Sequence, residues 1–209
     1  MRQNKKKVQN MNRRNILLLT VFSVVSILLL SGCTSNNSND NSGDNSDNEE
    51  SWLDTYTPIH TVGNGPNNFW ISYPTGHPNA SQQVDHLPWV LSSLNENAVV
   101  FVVHRTGCVT CQPQADRMIA LAEKYEDNVT FYDLDISLGG DMEKKAYEAY
   151  VYDPAGPPGY IALTVLVTLI EVNGDVEYGW HSWEGDVADA ELEGWVQDTI
   201  YYYHVNRGN

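Results

Sequence analysis

The sequence predicts an α/β sandwich, a mixed central β-sheet flanked by helices. Three observations carry this. Apolar, β-branched runs at 99–104, 129–135 and 161–172 read as strands. Between them lie stretches with apolar residues every three or four positions, the helical period. Asn173-Gly174 is a two-residue hairpin turn that folds the third run back along 175–180.

Residues 52–80 are rich in Pro, Gly, Asn and aromatics, among them Trp52, Tyr56, Phe69, Trp70 and Tyr73. They predict an irregular N-terminal extension with one short strand near 69–72. Val84, Leu87, Leu91 and Leu94 have helical spacing, and Pro88 fits only a first turn. The run at 99–104 is apolar without alternation, as a strand buried on both faces requires. Ala115, Met118, Ile119, Ala122 and Tyr125 form one face of a helix over about 109–125, with Pro113 in its first turn. The run at 129–135 alternates, as a second strand does. Asp141 is the expected cap of a short helix turning Met142, Ala146, Tyr147 and Tyr150 inward. Residues 153–159 form a loop on composition. Thr164, Val165, Val167, Thr168 and Ile170 favour strand over helix for the stretch that follows. Asp186 is the expected cap of a last helix whose core stripe is Leu192, Trp195, Val196, Thr199, Ile200 and Tyr203. A βαβ unit followed by a hairpin and a terminal helix gives the mixed sheet.

The first 33 residues read as an export signal. Arg2, Lys5, Lys6, Lys7, Arg13 and Arg14 form a basic head, and an uncharged, mostly apolar run from 16 to 30 follows. Leu30-Ser31-Gly32-Cys33 resembles the lipobox of exported lipoproteins, which implies cleavage before Cys33 and lipid attachment to its sulfur. Residues 34–51 hold no apolar side chain and suit a disordered polar tether. The folded domain is expected over 52–209, on the extracytoplasmic face of the cell membrane. All 27 acidic residues lie beyond Cys33, against six basic ones. That balance argues against nucleic-acid binding, because phosphate contacts need clustered Lys and Arg.

With Cys33 lipidated, two thiols are left, Cys108 and Cys111 in Thr106-Gly107-Cys108-Val109-Thr110-Cys111. They sit between a buried strand and a helix. A helix N-terminus favours thiolate over thiol, and a second cysteine one turn on can resolve a mixed disulfide. Arg105 and His104 are candidate modulators of the pair.

In this context the region from about 83 to 203 resembles the thioredoxin-like superfamily. The matching features are the Val-rich strand before the CxxC, the long helix after it, the 129–135 strand, the apolar strand into Glu171-Val172-Asn173-Gly174 and the C-terminal helix. The resemblance implies Cys108 as the exposed nucleophile and Cys111 as the buried resolving cysteine, with no cofactor. Several positions depart from the family. Gly107 stands where it has tryptophan, and Val109-Thr110 where it has Gly-Pro. Val102 occupies the place of the family's buried acid, and His104 is the candidate substitute, although strand alternation leaves its direction open. The place of the family's cis-proline falls near Leu166-Val167-Thr168, with Pro157 and Pro158 too far upstream.

Three functions are compatible with these residues. The first is thiol–disulfide exchange with exported protein thiols or a membrane redox partner. The second is a binding module whose CxxC is a static disulfide, which the missing acid and proline favour. The third is copper or zinc handling by Cys108, Cys111 and a histidine such as His104. Two cysteines make only half a closed zinc site, and none of the histidines at 60, 77, 86, 104, 181 and 204 has ligand spacing with another, so no metal is assigned.

Overall fold

Each apolar run forms the strand its composition favours. The computed structural model describes residues 50–208; the export signal, Cys33 and nearly all of the tether lie outside them. After a 3-10 turn at Glu50–Thr55 come two short parallel strands, β1 (Thr61–Val62) and β2 (Asn68–Phe69). Helix α1 (Pro88–Ser93), strand β3 (Ala98–His104), helix α2 (Gln112–Lys124), strand β4 (Val129–Asp135) and helix α3 (Gly140–Glu148) follow. Strands β5 (Leu163–Val172) and β6 (Asp175–Glu184) and helix α4 (Asp189–Asn206) complete the chain.

The four long strands make one sheet in the order β4-β3-β5-β6. β3 and β4 run parallel, from Ala98 beside Val129 to His104 beside Asp135, and α2 is the crossover between them. β5 runs antiparallel to β3, with Val103 opposite Leu163, and forms a hairpin with β6. Asn173 and Gly174 at its turn have φ of 56° and 93°, the two left-handed residues that a hairpin turn of this length requires.

Helices cover both faces of the sheet, which is why every residue of β3 is buried. Val102 and Thr164 pair across strands, and Gln114 of α2 donates to the Thr164 hydroxyl at 2.9 Å. Thr168 donates to the Thr199 carbonyl of α4 at 2.7 Å. Those residues therefore face α2 and α4. Phe101 points the other way, where its ring meets Trp89 of α1 and Tyr152.

Two helix starts differ from expectation. Asp141 does not cap α3. Gly139 does, at φ 70°, and Asp141 sits in the first turn, 3.5 Å from Lys145 one turn on. Ala146 and Ala149 face the core, and Tyr147, one position on from Ala146, lies off that face and is 59 % exposed. Asp186 does not cap α4, which starts after Ala188. Its carboxylate pairs with Arg117 instead. The predicted α4 stripe is buried throughout.

The back of α4 is buried too, because the N-terminal extension packs there. Asp198 is fully buried and accepts hydrogen bonds from the Tyr56 hydroxyl and from the His60 backbone and ring. Phe69, Trp70 and Tyr73 are core residues. The rings of His60 and His181 stack on Trp195 at 3.5 and 3.8 Å.

His181 makes stability depend on pH. Its burial lowers the imidazole pKa to about 3 from 6.5, outweighing the bond to the Asn68 carbonyl, which raises it. The unfolded chain binds this proton near pH 6.5 and the folded chain refuses it until about pH 3, so the contribution is intact above 6.5 and is lost as pH falls through that window. His77 and His86, also lowered by burial, act in the same direction, whereas Glu184, raised by burial, opposes them. Chemical denaturation is expected to show a loss of roughly 2–3 kcal/mol from His181 between about pH 6.5 and 4.5. In His181→Phe that part of the slope should vanish; an unchanged slope would refute the assignment.

Candidate functional site

β3 ends at His104 and the chain turns at once toward α2. Gly107 has φ 81°, a left-handed conformation that explains glycine at this position. The Cys108 N–H donates to Arg105 O at 3.0 Å. Cys108 O accepts from the N–H groups of Cys111 and Gln112 at 3.2 and 3.1 Å. α2 thus begins at Gln112 with Cys111 as its N-cap, three residues later than the spacing predicts, and Cys108 stands just ahead of the first turn. Pro113 falls in that first turn, where its missing N–H has no helical partner to lose.

Cys108 and Cys111 form a disulfide with a Cα–Cα distance of 5.3 Å. The two sulfurs differ in access. Cys108 is half-buried, and its Sγ lies 3.5 Å from the Thr110 hydroxyl. Cys111 is 0 % exposed. A shallow cleft of about 340 Å³ adjoins Cys108, lined by Gly107, Val109, Gln112, Pro113 and Asp116. Val109 is 86 % exposed at its rim. Arg105 is exposed and makes no ion pair among the described residues.

Asp135, at the end of β4, anchors the turn. Its carboxylate accepts from the Thr106 N–H at 3.2 Å and from the Thr106 hydroxyl, and from the Ser137 N–H and hydroxyl at 2.8 and 2.6 Å. Burial opposes its charge, but these hydrogen bonds prevail and hold the carboxyl well below the usual range. Gln114, fully buried in α2 one turn from Cys111, bonds Thr164 Oγ1 and accepts the Val187 N–H at 2.9 Å. It fixes α2 to β5 and to the loop before α4. Sequence reading missed both residues, since a strand-end aspartate and a helical glutamine look like surface groups. The Asp-x-Ser spacing at 135–137 is the one local signal, an Asx turn.

The sheet register decides the direction of His104. It shares a face with Val102, the face that carries α2. It is 5 % exposed, its Nε2 lies 2.5 Å from Asp133 Oδ1, and its Nδ1 is buried with no partner among the described residues. An ionised carboxylate only accepts, so Nε2 is the donor toward Asp133. Val102 is fully buried between Asp133 and Thr164, and no acid stands at that position.

Leu166-Val167-Thr168 lie inside β5, Leu166 opposite Val100 and Val167 opposite Val99, whereas the turn into β5 is at Ile161-Ala162. A cis peptide bond joins Ile161 and Ala162, and another joins Pro157 and Pro158. Because Leu163 pairs with Val103, this turn lies at the CxxC end of the sheet. Among the described residues no three His, Cys, Asp or Glu side chains assemble as metal ligands.

No protein-family model matches the chain, and no curated protein matches it. Among solved structures it is similar to chloroplastic thioredoxin z, at 14 % identity and a TM-score of 0.35, covering 54 % of this chain and 85 % of that one. It is also similar to the germline-specific thioredoxin Deadhead of Drosophila melanogaster, at 15 % identity and a TM-score of 0.33, covering 51 % and 84 %. The parallel β3–α2–β4 unit, the antiparallel β5–β6 hairpin and the closing helix α4 together make the α/β sandwich with a mixed central sheet that the sequence predicts, with the disulfide ahead of α2.

Proposed function

We propose that the chain is a membrane-anchored, extracytoplasmic thiol–disulfide oxidoreductase, held by lipid on Cys33 and exchanging disulfides with exported proteins through Cys108 and Cys111. The observation that carries this reading is the asymmetry of the pair, an accessible Cys108 bonded to a fully buried Cys111 at the start of α2. In the reducing direction the Cys108 thiolate attacks a partner disulfide. One partner sulfur leaves as thiolate and the other bonds Cys108. The Cys111 thiolate then attacks the Cys108 sulfur, closing the 108–111 disulfide and releasing the second partner thiolate. The reverse sequence oxidises a partner dithiol. A buried thiol must first lose its proton, and the candidate base is His104, which lies on the α2-facing side of the sheet and is held by Asp133 through Nε2.

The test is trapping in cells. Cys111→Ser is expected to accumulate mixed disulfides that dithiothreitol releases, and Cys108→Ser to accumulate none. Absence of adducts in both variants would defeat the reading. A static disulfide in a binding module is the second reading, favoured by Val102 in the place of an acid. A reduction potential below about −300 mV would select it.

A further inference from the structure

The outer edge of β6 has backbone groups that the redox chemistry does not use. Trp70 and Trp180 exchange backbone hydrogen bonds at 2.7 and 2.9 Å, so the N–H and C=O of Trp180 point away from β5. In an antiparallel ladder this direction alternates. The N–H and C=O of Ser182 therefore point to the same outer edge, and the Gly185 N–H to Ala162 O bond at 2.7 Å fits the alternation. The segment that pairs with Trp180 does not continue along that edge. Asn68 is the residue due opposite Ser182, but its N–H turns back to Gly65 O at 3.3 Å and its carbonyl lies 2.8 Å from His181 Nδ1. Among the described residues no backbone group meets the outward N–H and C=O of Ser182, although the residue is only 2 % exposed. Its hydroxyl is committed to the Tyr152 carbonyl at 2.5 Å.

A cleft of about 710 Å³ opens at this place, with Pro66, Trp70, Pro74, Pro154 and Trp183 as walls and Ser182 at the edge strand. We propose that this cleft binds an extended segment of a protein partner, which adds a strand to β6 through the N–H and C=O of Ser182. Buried backbone pairs are rarely left unmatched, and the shape that matches an outward N–H and C=O on a strand edge is another strand. Proline and tryptophan walls accept its apolar side chains at alternate positions. No Asp, Glu, Lys or Arg lines the cleft, so it suits a segment with apolar rather than charged side chains facing it, while the net acidity of the chain beyond Cys33 disfavours a strongly acidic one. The inference goes beyond the redox reading, because binding at this edge requires neither sulfur.

The test uses the full-length chain and a capped hexapeptide, acetyl-Lys-Val-Thr-Val-Thr-Val-amide, followed by calorimetry. The parent peptide binds, and N-methylation of its alternate amides on the edge facing β6 weakens binding by about tenfold or more. Ser182→Pro gives the same loss with an unchanged circular dichroism spectrum and disulfide midpoint, since proline is tolerated on an edge whose N–H points outward. Ser182→Ala keeps the backbone pair and binds as the wild type does. The proposal is overturned if the parent shows no binding at about 1 mM. Equal binding of the methylated peptide, which would mark side-chain adhesion alone, also overturns it, as does unchanged affinity in Ser182→Pro.

Discussion

Asp198→Ala is expected to be among the most destabilising single substitutions in the domain, at about 3–5 kcal/mol. The carboxylate is fully buried in α4 and collects the Tyr56 hydroxyl at 2.6 Å, the His60 N–H and Nδ1 at 2.7 Å each, and the Ile59 N–H at 3.1 Å. Removing it takes the shared acceptor from all of these half-buried donors at once. In the wild type, burial first and Asp198 second push the Tyr56 phenol far above the usual range, so it stays protonated and donates to the carboxylate. Domains hold only about 5–15 kcal/mol in total, so the loss is a large fraction of it. The damage is local in kind. The extension at 52–66 should come away from α4 and become open to proteolysis, while the disulfide midpoint stays close to wild type, because α2 is fixed through Gln114 and Asp135 rather than through Asp198. Asp198→Asn keeps the shape but accepts fewer hydrogen bonds and should lose less. A denaturation midpoint for the alanine variant within about 1 kcal/mol of wild type would show that the extension is held by its aromatic packing instead.

The same region shows where sequence reading stops. Strands β3, β4 and β5 were legible because a run of β-branched apolar residues has few other uses, and the hairpin because Asn-Gly accommodates two positive φ angles. The extension was not legible as core. Its aromatics follow no period, and their burial needs the back of α4, more than a hundred residues away. Asp141 and Asp186 were misread as caps, since any acid near a helix start satisfies the pattern and only the backbone angles of Gly139 and Ala188 decide it. At the site, the cysteines were plain and their unequal access followed from the fold. Asp135 and Gln114 gave no periodic signal, because their partners at Thr106, Thr164 and Val187 come from other elements. Nothing in the sequence singles out Ile161-Ala162. Locating that turn required the pairing of Leu163 with Val103.

His104 gains most from the sheet register, and its substitution carries the largest expected effect on function. In His104→Leu the step in which Cys111 resolves a mixed disulfide should slow by about 10- to 100-fold at neutral pH, while the first attack by Cys108 keeps its rate. The separation follows from position. Cys108 is reached from solvent ahead of α2, whereas Cys111 and His104 are both buried on the face where α2 meets the sheet. The resolving rate of the variant should rise about tenfold per pH unit, because hydroxide then has to take the proton, and should approach wild type at high pH. Asp133→Asn leaves the ring in place but no longer fixes the proton on Nε2, so an intermediate loss with the same pH trend is expected. Stopped-flow measurement of the two half-reactions against pH separates this from a structural role. A His104 that only filled space would alter stability or both half-reactions together, without changing the slope with pH. Equal slopes in wild type and His104→Leu would remove it from the proton path, leaving Cys111 to ionise through water that enters when the disulfide opens.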